Sequence, residues 1–120
     1  LAASPVLTNS TIDYTHTNWC VGADISSSYT NKLNGSIVDL WFNTTYLDIS
    51  QASNRAKFID QATLRPVPLG AKGELPTGSQ PLLYLGRDYA NFQTNLGSGG
   101  NFTVTGALGR ATTSPSDVRA

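Results

Sequence analysis

Hydrophobic residues are densest between residues 36 and 49, in the stretch SIVDLWFNTTYLDI. β-branched and aromatic side chains fill this stretch, and such side chains pack well on the pleated surface of a sheet. The pattern therefore predicts one long strand, or two strands joined near Asn43. Residues 82–85 (LLYL) form a second, shorter apolar run next to turn residues, which predicts a buried strand.

Residues 101–108 (NFTVTGAL) alternate between apolar and polar positions. In an extended strand Phe102, Val104 and Leu108 would share one face, and the two threonines would lie on the other. This alternation predicts a half-buried antiparallel strand.

The segments between these strands carry turn and helix signals. Residues 50–58 (SQASNRAKF) tolerate a helix and predict a single helical turn. Prolines and glycines then recur between residues 66 and 81, which predicts a loop with at most a short hairpin. Residues 1–35 are rich in Ser, Thr and Asn and predict an arm or loops with one or two short strands.

Short strands separated by turn-rich connections, with no long helix, favour an all-β fold. We expect an antiparallel β-sandwich or jelly-roll-like single domain, because 120 residues suit one domain. Residues 1–35 would form an extended N-terminal arm, residues 36–110 the β-rich body, and residues 111–120 a flexible C-terminal tail.

The charge balance removes two classes of partner. Eight basic and eight acidic residues give a net charge of zero, and the basic residues form no run. Sustained attraction to nucleic acid or to an anionic membrane therefore has no electrostatic source. No apolar run approaches the ~20 residues of a membrane-spanning helix. Charged residues make up only 13% of the chain, and Ser, Thr and Asn supply its polarity instead, which suits an extracellular or virion surface.

The glycine run at residues 97–100 (GSGG) invites a comparison with phosphate-binding loops. Such loops lead into a helix, whose N-terminal amides converge on the anion. Here the following residues have the pattern of a strand, and no Lys-Ser or Lys-Thr pair is present. We interpret the run as a flexible entry into a strand, and we expect no nucleotide and no other cofactor.

His16 and Cys20 are the only histidine and the only cysteine. A zinc site needs four ligands, and only Asp13 or Asp24 lies near enough in sequence to join these two. The spacing fits no familiar metal site or thiol–imidazole pair, and no G-x-S-x-G motif is present. We therefore expect neither a metal site nor a nucleophilic catalytic centre.

Carboxylates leave one catalytic alternative open. Glycoside cleavage would require a cleft with two nearby carboxylates, one of them with a raised pKa. The sequence offers five candidates, and a small domain offers little wall for such a cleft. We expect that the protein is not an enzyme. The five carboxylates are Asp39, Asp48, Asp60, Glu74 and Asp88.

Aromatic side chains provide a surface for partners or sugars. Trp41 and Tyr84 lie in apolar runs and are expected in the core, whereas Trp19 and Tyr89 are expected to be accessible. The side chains that could stack on a pyranose ring are Trp19, Trp41, Tyr46, Tyr84 and Tyr89. The candidate interaction surface consists of the accessible pair and one phenylalanine: Trp19, Tyr89 and Phe92.

Three stretches resemble a known family. They are residues 46–85 (YLDISQASNRAKFIDQATLRPVPLGAKGELPTGSQPLLYL), residues 95–108 (NLGSGGNFTVTGAL) and residues 111–117 (ATTSPSD). This part of the chain resembles small virion structural proteins of tailed bacteriophages and prophages, which decorate a capsid or attach to a tail. The first 35 residues carry no such resemblance.

The resemblance implies a non-enzymatic virion structural protein, most simply a capsid decoration or cement subunit or another surface-assembly subunit. Its partners would be other virion subunits and further copies of itself, with no nucleic acid and no membrane. The alternative is a carbohydrate-binding or adhesion module of a phage fibre or a secreted appendage, with a glycan as its partner. The two hypotheses place the chain on the virion surface or outside the cell.

Overall fold

The computed structural model describes residues 18–24 and 31–112. The chain divides into two compact units, Leu1–Asn34 and Gly35–Ala120. The helix and both strands of the described residues lie in the second unit.

In the first unit, two described segments run beside each other. The backbone N–H of Asp24 donates to the carbonyl of Asn31 at 3.2 Å, and that of Leu33 donates to Gly22 at 2.8 Å. The Asn31 amide also donates to the Asp24 carboxylate at 2.6 Å. Gly22 has φ of 78°, a conformation that an L-residue rarely adopts. These contacts bring residues 22–24 and 31–33 together.

Among its described residues, the second unit has one antiparallel sheet of two strands, β1 (Leu40–Phe42) and β2 (Leu83–Leu85). Trp41 lies opposite Tyr84. The pairs on either side of them are a leucine with a leucine and a phenylalanine with a leucine, Leu40–Leu85 and Phe42–Leu83. Leucines and aromatic residues favour this pairing because opposite side chains in a sheet contact each other. The described part of the chain is thus largely non-helical with a small antiparallel sheet, which is compatible with the expected all-β class.

β1 is much shorter than the strand predicted for residues 36–49. Asp39 precedes it with φ of 51°, in the left-handed region, which ends the extended backbone on that side. After the strand, the Asn43 side chain accepts a hydrogen bond from the N–H of Thr44 at 2.9 Å. Asp and Asn interrupt strands in this way because their short side chains bind the local backbone. The apolar run therefore contains a three-residue strand, and Ile37 and Val38 are exposed.

The predicted helical turn is confirmed as α1 (Ala52–Arg55). Its N-terminal side is held by side chains from within the turn. The Arg55 guanidinium donates to the carbonyls of Ile49 and Ser50 at 2.8 and 2.7 Å, and the Asn54 amide donates to the carbonyl of Asp48 at 3.0 Å. A helix this short needs such contacts because nucleation alone is unfavourable.

A hairpin-like turn, which the sequence did not predict, follows α1. Ile59 and Pro66 form an isolated antiparallel β-bridge, and the N–H of Asp60 donates to the carbonyl of Arg65 at 2.8 Å. At the tip, Asp60 Oδ1 accepts hydrogen bonds from the N–H groups of Ala62 and Thr63, both at 2.8 Å. This is the local capping that makes Asp common in turns. We call residues 58–67 the hairpin.

A small core joins the sheet to the proline- and glycine-rich loop. The buried hydrophobic side chains of the described residues are Leu69, Tyr84 and Leu85, and Pro81 is buried with them. The half-buried Trp41 donates from Nε1 to the carbonyl of Gly73 at 2.9 Å. The predicted loop between residues 66 and 81 is confirmed, since it forms no helix or strand beyond the bridge at Pro66.

Two packing contacts complete the core around the aromatic pair. The Trp41 ring meets Phe58 edge to face, with ring centroids 5.2 Å apart. Tyr84 fits between two glycines: a Cβ atom at Gly73 would lie 2.9 Å from its ring, and one at Gly86 would lie 2.5 Å from its hydroxyl. Glycine is required at both positions because any larger residue would displace this ring.

The strand predicted for residues 101–108 is wrong. Those residues form no helix or strand, and Val104 and Leu108 are exposed. Phe102 is half-buried and its N–H donates to the carbonyl of Gln93 at 2.9 Å. Gly106 has φ of 94°, which interrupts extended backbone. The alternation of apolar and polar residues is present in the sequence, but no described strand pairs with residues 101–108.

The division into an arm, a body and a tail stays a prediction. Residues 1–17 and 25–30 of the expected arm, and residues 113–120 of the expected tail, lie outside the described residues.

Candidate functional site

The glycine run lies against β2 and uses its amides within the protein. Ser98 N–H donates to the carbonyl of Pro81 at 2.8 Å, and Gly99 N–H donates to the carbonyl of Leu82 at 2.9 Å. Gly97 N–H donates to Asn95 Oδ1 at 2.8 Å. These three amides are therefore not available to hold a phosphate. The run is not an entry into a strand either: residues 95–99, which we call the glycine segment, cover the edge of β2.

Asn95 connects this segment to the strand. Its Oδ1 also accepts from the backbone N–H of Tyr84 at 2.9 Å, and its Nδ2 donates to the carbonyl of Leu82 at 3.1 Å. The N–H of Leu96 donates to the carbonyl of Tyr84 at 2.9 Å. The Asn95 side chain thus pairs with the backbone of β2 as a neighbouring strand would, with one acceptor and one donor. The carbonyl oxygens of Pro81 and Leu82, which accept hydrogen bonds from this segment, leave no room for a Cβ atom at Gly97. Such an atom would lie 2.7 Å from the carbonyl oxygen of Pro81.

The three residues of the candidate interaction surface lie in two units. Trp19, in the first unit, is 48% exposed. Tyr89, in the second unit, is 49% exposed, and Phe92 three residues later is half-buried. Both belong to a turn in which Asp88 Oδ1 accepts from the amide and the backbone N–H of Asn91, at 3.0 and 3.2 Å. Tyr89 and Phe92 thus share this turn, and their role stays a prediction.

Large hydrophobic side chains are exposed on the second unit well beyond this predicted surface. Tyr46 is 84% exposed, and Leu64, at the tip of the hairpin, is 76% exposed with φ of 56°. A branched side chain in the left-handed region is strained, and it is held there by the turn that Asp60 caps. Nothing in the sequence pattern indicated that Leu64 would be exposed. The others are Ile37, Val38, Ile49, Ile59, Leu75, Leu82, Val104 and Leu108.

A groove of about 420 Å³ lies between the hairpin, the following loop and the edge of the sheet. Its polar residues are two carboxylates, a guanidinium, and the hydroxyls of a threonine and a tyrosine. Four successive loop residues add an apolar wall. The polar residues are Asp39, Asp60, Thr63, Arg65 and Tyr84, and the wall consists of Pro66, Val67, Pro68 and Leu69.

Asp39 and Tyr84 form the inner polar pair of this groove. Partial burial raises the pKa of the Asp39 carboxyl, and a hydrogen bond from the Tyr84 hydroxyl opposes that rise. Burial also raises the pKa of Tyr84, and the charge of Asp39 raises it further. Because desolvation disfavours the ionised form, Asp39 keeps its proton to higher pH than an exposed aspartate.

Asp60, at the rim, has the opposite character. Hydrogen bonds from the N–H groups of Thr63 and Ala62, and from the Thr63 side chain, lower the pKa of its carboxyl. Asp39 and Asp60 are therefore two carboxylates in one groove with pKa values moved apart, which is the combination that acid–base chemistry uses. Asp60 already serves the turn, however, and Asp39 already accepts from Tyr84, so both have structural roles.

The other three of the five candidate carboxylates do not line the groove. Hydrogen bonds from the Ser50 side chain and N–H lower the pKa of Asp48, and backbone N–H donors lower that of Glu74, including the N–H of Lys72 at 2.8 Å. Asp88 holds the turn that carries Tyr89. These carboxylates cap turns, which is a structural use.

No metal site is found among the described residues, where no three His, Cys, Asp or Glu side chains are grouped to hold an ion. Cys20 is half-buried and forms no disulfide. His16 and Asp13, which the sequence placed beside it, lie outside the described residues.

Over the described ranges, no helix is long and apolar enough to cross a membrane. No protein-family model matches this chain, nor does any curated protein or any solved structure.

Proposed function

We propose that this protein is a non-enzymatic structural subunit of a tailed-bacteriophage virion, a capsid decoration or cement protein or another surface-assembly subunit. It would act on the virion surface, bound to a capsid or tail protein and to further copies of itself. The resemblance of residues 46–117 to small virion proteins supports this proposal.

The observation that carries the proposal is the ratio of buried to exposed apolar side chains in the second unit. Its described core contains three buried hydrophobic residues, whereas side chains as large as Tyr46, Ile49 and Leu64 are mostly exposed. Fully burying one such side chain contributes about 1.5–3 kcal/mol. Neighbouring subunits that covered several of them would therefore stabilise an assembly strongly, as apolar surface does at protein interfaces.

An antiparallel β-sandwich or jelly roll is the architecture that belongs to this proposal. The pairing of β1 with β2 and the prevalence of loops over helices support it. Circular dichroism of the purified chain, before and after assembly, would measure whether strand content rises when subunits associate.

Cryo-electron microscopy of particles from the native source tests the assembly role. Density for this chain at symmetric positions, contacting several neighbours, is the expected result. Purified protein that stays monomeric at every concentration in light scattering, and binds neither capsids nor tails, would refute the proposal. Release of nitrophenol from nitrophenyl glycosides, lost in Asp39→Asn, would refute the non-enzymatic part alone.

A second candidate function is carbohydrate binding, on a phage fibre or a secreted appendage. The groove favours it, because its volume of about 420 Å³ lies in the range of small-molecule sites and it combines an apolar wall with a few polar groups. A glycan array probed at high protein concentration tests this function, and an array with no binding would refute it.

A further inference from the structure

We infer that the groove lined by the Asp39–Tyr84 pair, the hairpin tip and residues 66–69 is a binding site for a neutral saccharide. The inference rests on the second candidate function and names its site. This site lies apart from the predicted aromatic residues, since neither Tyr89 nor Phe92 lines the groove.

Charge decides that the ligand is neutral. A cation would need strong negative potential, yet the Arg65 guanidinium lines the groove beside the two carboxylates, and Asp60 already accepts two backbone N–H groups. An anion would meet two carboxylates. Two carboxylates and one guanidinium place both signs of charge in the groove, which suits a ligand that exchanges hydrogen bonds without carrying charge.

The hydrogen-bonding capacity suits hydroxyl groups. A carboxylate has about four acceptor positions. Asp39 uses one for Tyr84, and Asp60 accepts the N–H groups of Ala62 and Thr63 and a hydrogen bond from the Thr63 side chain. The remaining lone pairs can accept from ligand hydroxyls, and charge-assisted bonds of this kind are the strong ones. The Arg65 guanidinium also lines the groove, and its five N–H groups are the kind of donor that suits the ring and hydroxyl oxygens of a sugar.

The apolar wall suits the C–H face of a pyranose ring. Pro66, Val67 and Pro68 are consecutive and at least partly exposed, so they present a surface with few donors. Two prolines fix the backbone there, which reduces the entropy lost when a ligand binds. A saccharide placed between this wall and the Asp39 side would bury its apolar face and satisfy its hydroxyls.

Binding of methyl glycosides tests the inference, using neutral hexoses and N-acetylhexosamines as probes in saturation-transfer NMR. Asp39→Asn removes the charge-assisted acceptor and should weaken binding at least about tenfold. Thr63→Trp fills the groove from an exposed position and should abolish binding. Asp88→Asn is the matched control: it makes the same chemical change outside the groove and should bind like the unmodified protein. Amide spectra of each variant establish that it is folded.

The outcomes separate the site from the function. Binding that is lost in both groove variants and kept in Asp88→Asn supports the inference. Binding that survives in both groove variants but is lost in Tyr89→Ala overturns the site and leaves carbohydrate binding at the aromatic surface. No binding of any glycoside overturns both, as does preference for butylammonium or inorganic phosphate. The virion proposal is tested separately on particles.

Discussion

The glycine segment provides the sharpest test of the fold, through Gly97→Ala. A Cβ atom at this position would lie 2.7 Å from the carbonyl oxygen of Pro81 and 2.8 Å from that of Leu82, closer than real Cβ atoms approach. Those carbonyls accept the N–H groups of Ser98 and Gly99. The segment must move away from β2 to fit the methyl group, and both hydrogen bonds would stretch or break.

The expected loss follows from those two bonds. Each contributes about 0.5–1.5 kcal/mol, so Gly97→Ala should lower the free energy of unfolding by about 1–3 kcal/mol. Gly100→Ala is the matched control from the same run, because a Cβ atom there meets nothing within 4 Å. Its φ lies outside the left-handed region, so it should be neutral or stabilise by about 0.4–1 kcal/mol through the unfolded chain.

Urea denaturation measures both variants, with Trp41 fluorescence as the signal in a Trp19→Phe background. Trp41 is a suitable reporter because its ring packs on Phe58 and its Nε1 is hydrogen-bonded. Equal midpoints for Gly97→Ala and Gly100→Ala would refute the packing of the glycine segment against β2, and with it the account of why glycines occupy this run.

Three further predictions concern single side chains. Asn95→Ala should lower the free energy of unfolding by about 2 kcal/mol, because the part-buried N–H of Tyr84 loses its acceptor; urea denaturation showing no change would contradict it. The raised pKa of Asp39 means that its stabilising contribution is complete below the ordinary aspartate pKa and is lost as pH rises through its folded pKa. Asp39→Asn should therefore gain stability relative to the unmodified protein as pH rises, by less than about 1 kcal/mol since solvent screens the site, and parallel pH profiles would refute this. Leu64→Asn should stabilise the monomer by about 1 kcal/mol, because Asn tolerates the left-handed backbone, and should weaken self-association if Leu64 is covered in the assembly. Urea denaturation measures the stability and light scattering measures the self-association. A less stable monomer would contradict this prediction.

The sequence predicted the parts of the fold that depend on local composition. Leucines and aromatic residues placed β2 within residues 82–85, helix-tolerant residues placed α1, and prolines and glycines placed the loop that follows the hairpin. In each case the signal and the structure lie within a few residues of each other, so propensity was sufficient.

The candidate site depended on contacts between distant positions. Asp39, Asp60 and Tyr84 line one groove although each lies more than twenty positions along the chain from the next. Nothing in the pattern around Asp39 shows that β1 begins after a left-handed residue, or that a tyrosine hydroxyl lies against its carboxylate. The pKa direction of this group follows from burial, which is a property of the folded chain.

Residues 101–108 and the glycine run show most clearly why a local sequence pattern is not enough to predict a strand. Period-two alternation determines which side chains would share a face, but a strand also needs a neighbour whose N–H and C=O groups it can pair with. The edge of β2 that could have provided one is occupied by the glycine segment, where Asn95 and the absence of Cβ atoms allow close approach. The sequence by itself thus determined local backbone preference and the balance of charge, and tertiary structure decided which segment obtained the one available edge of β2.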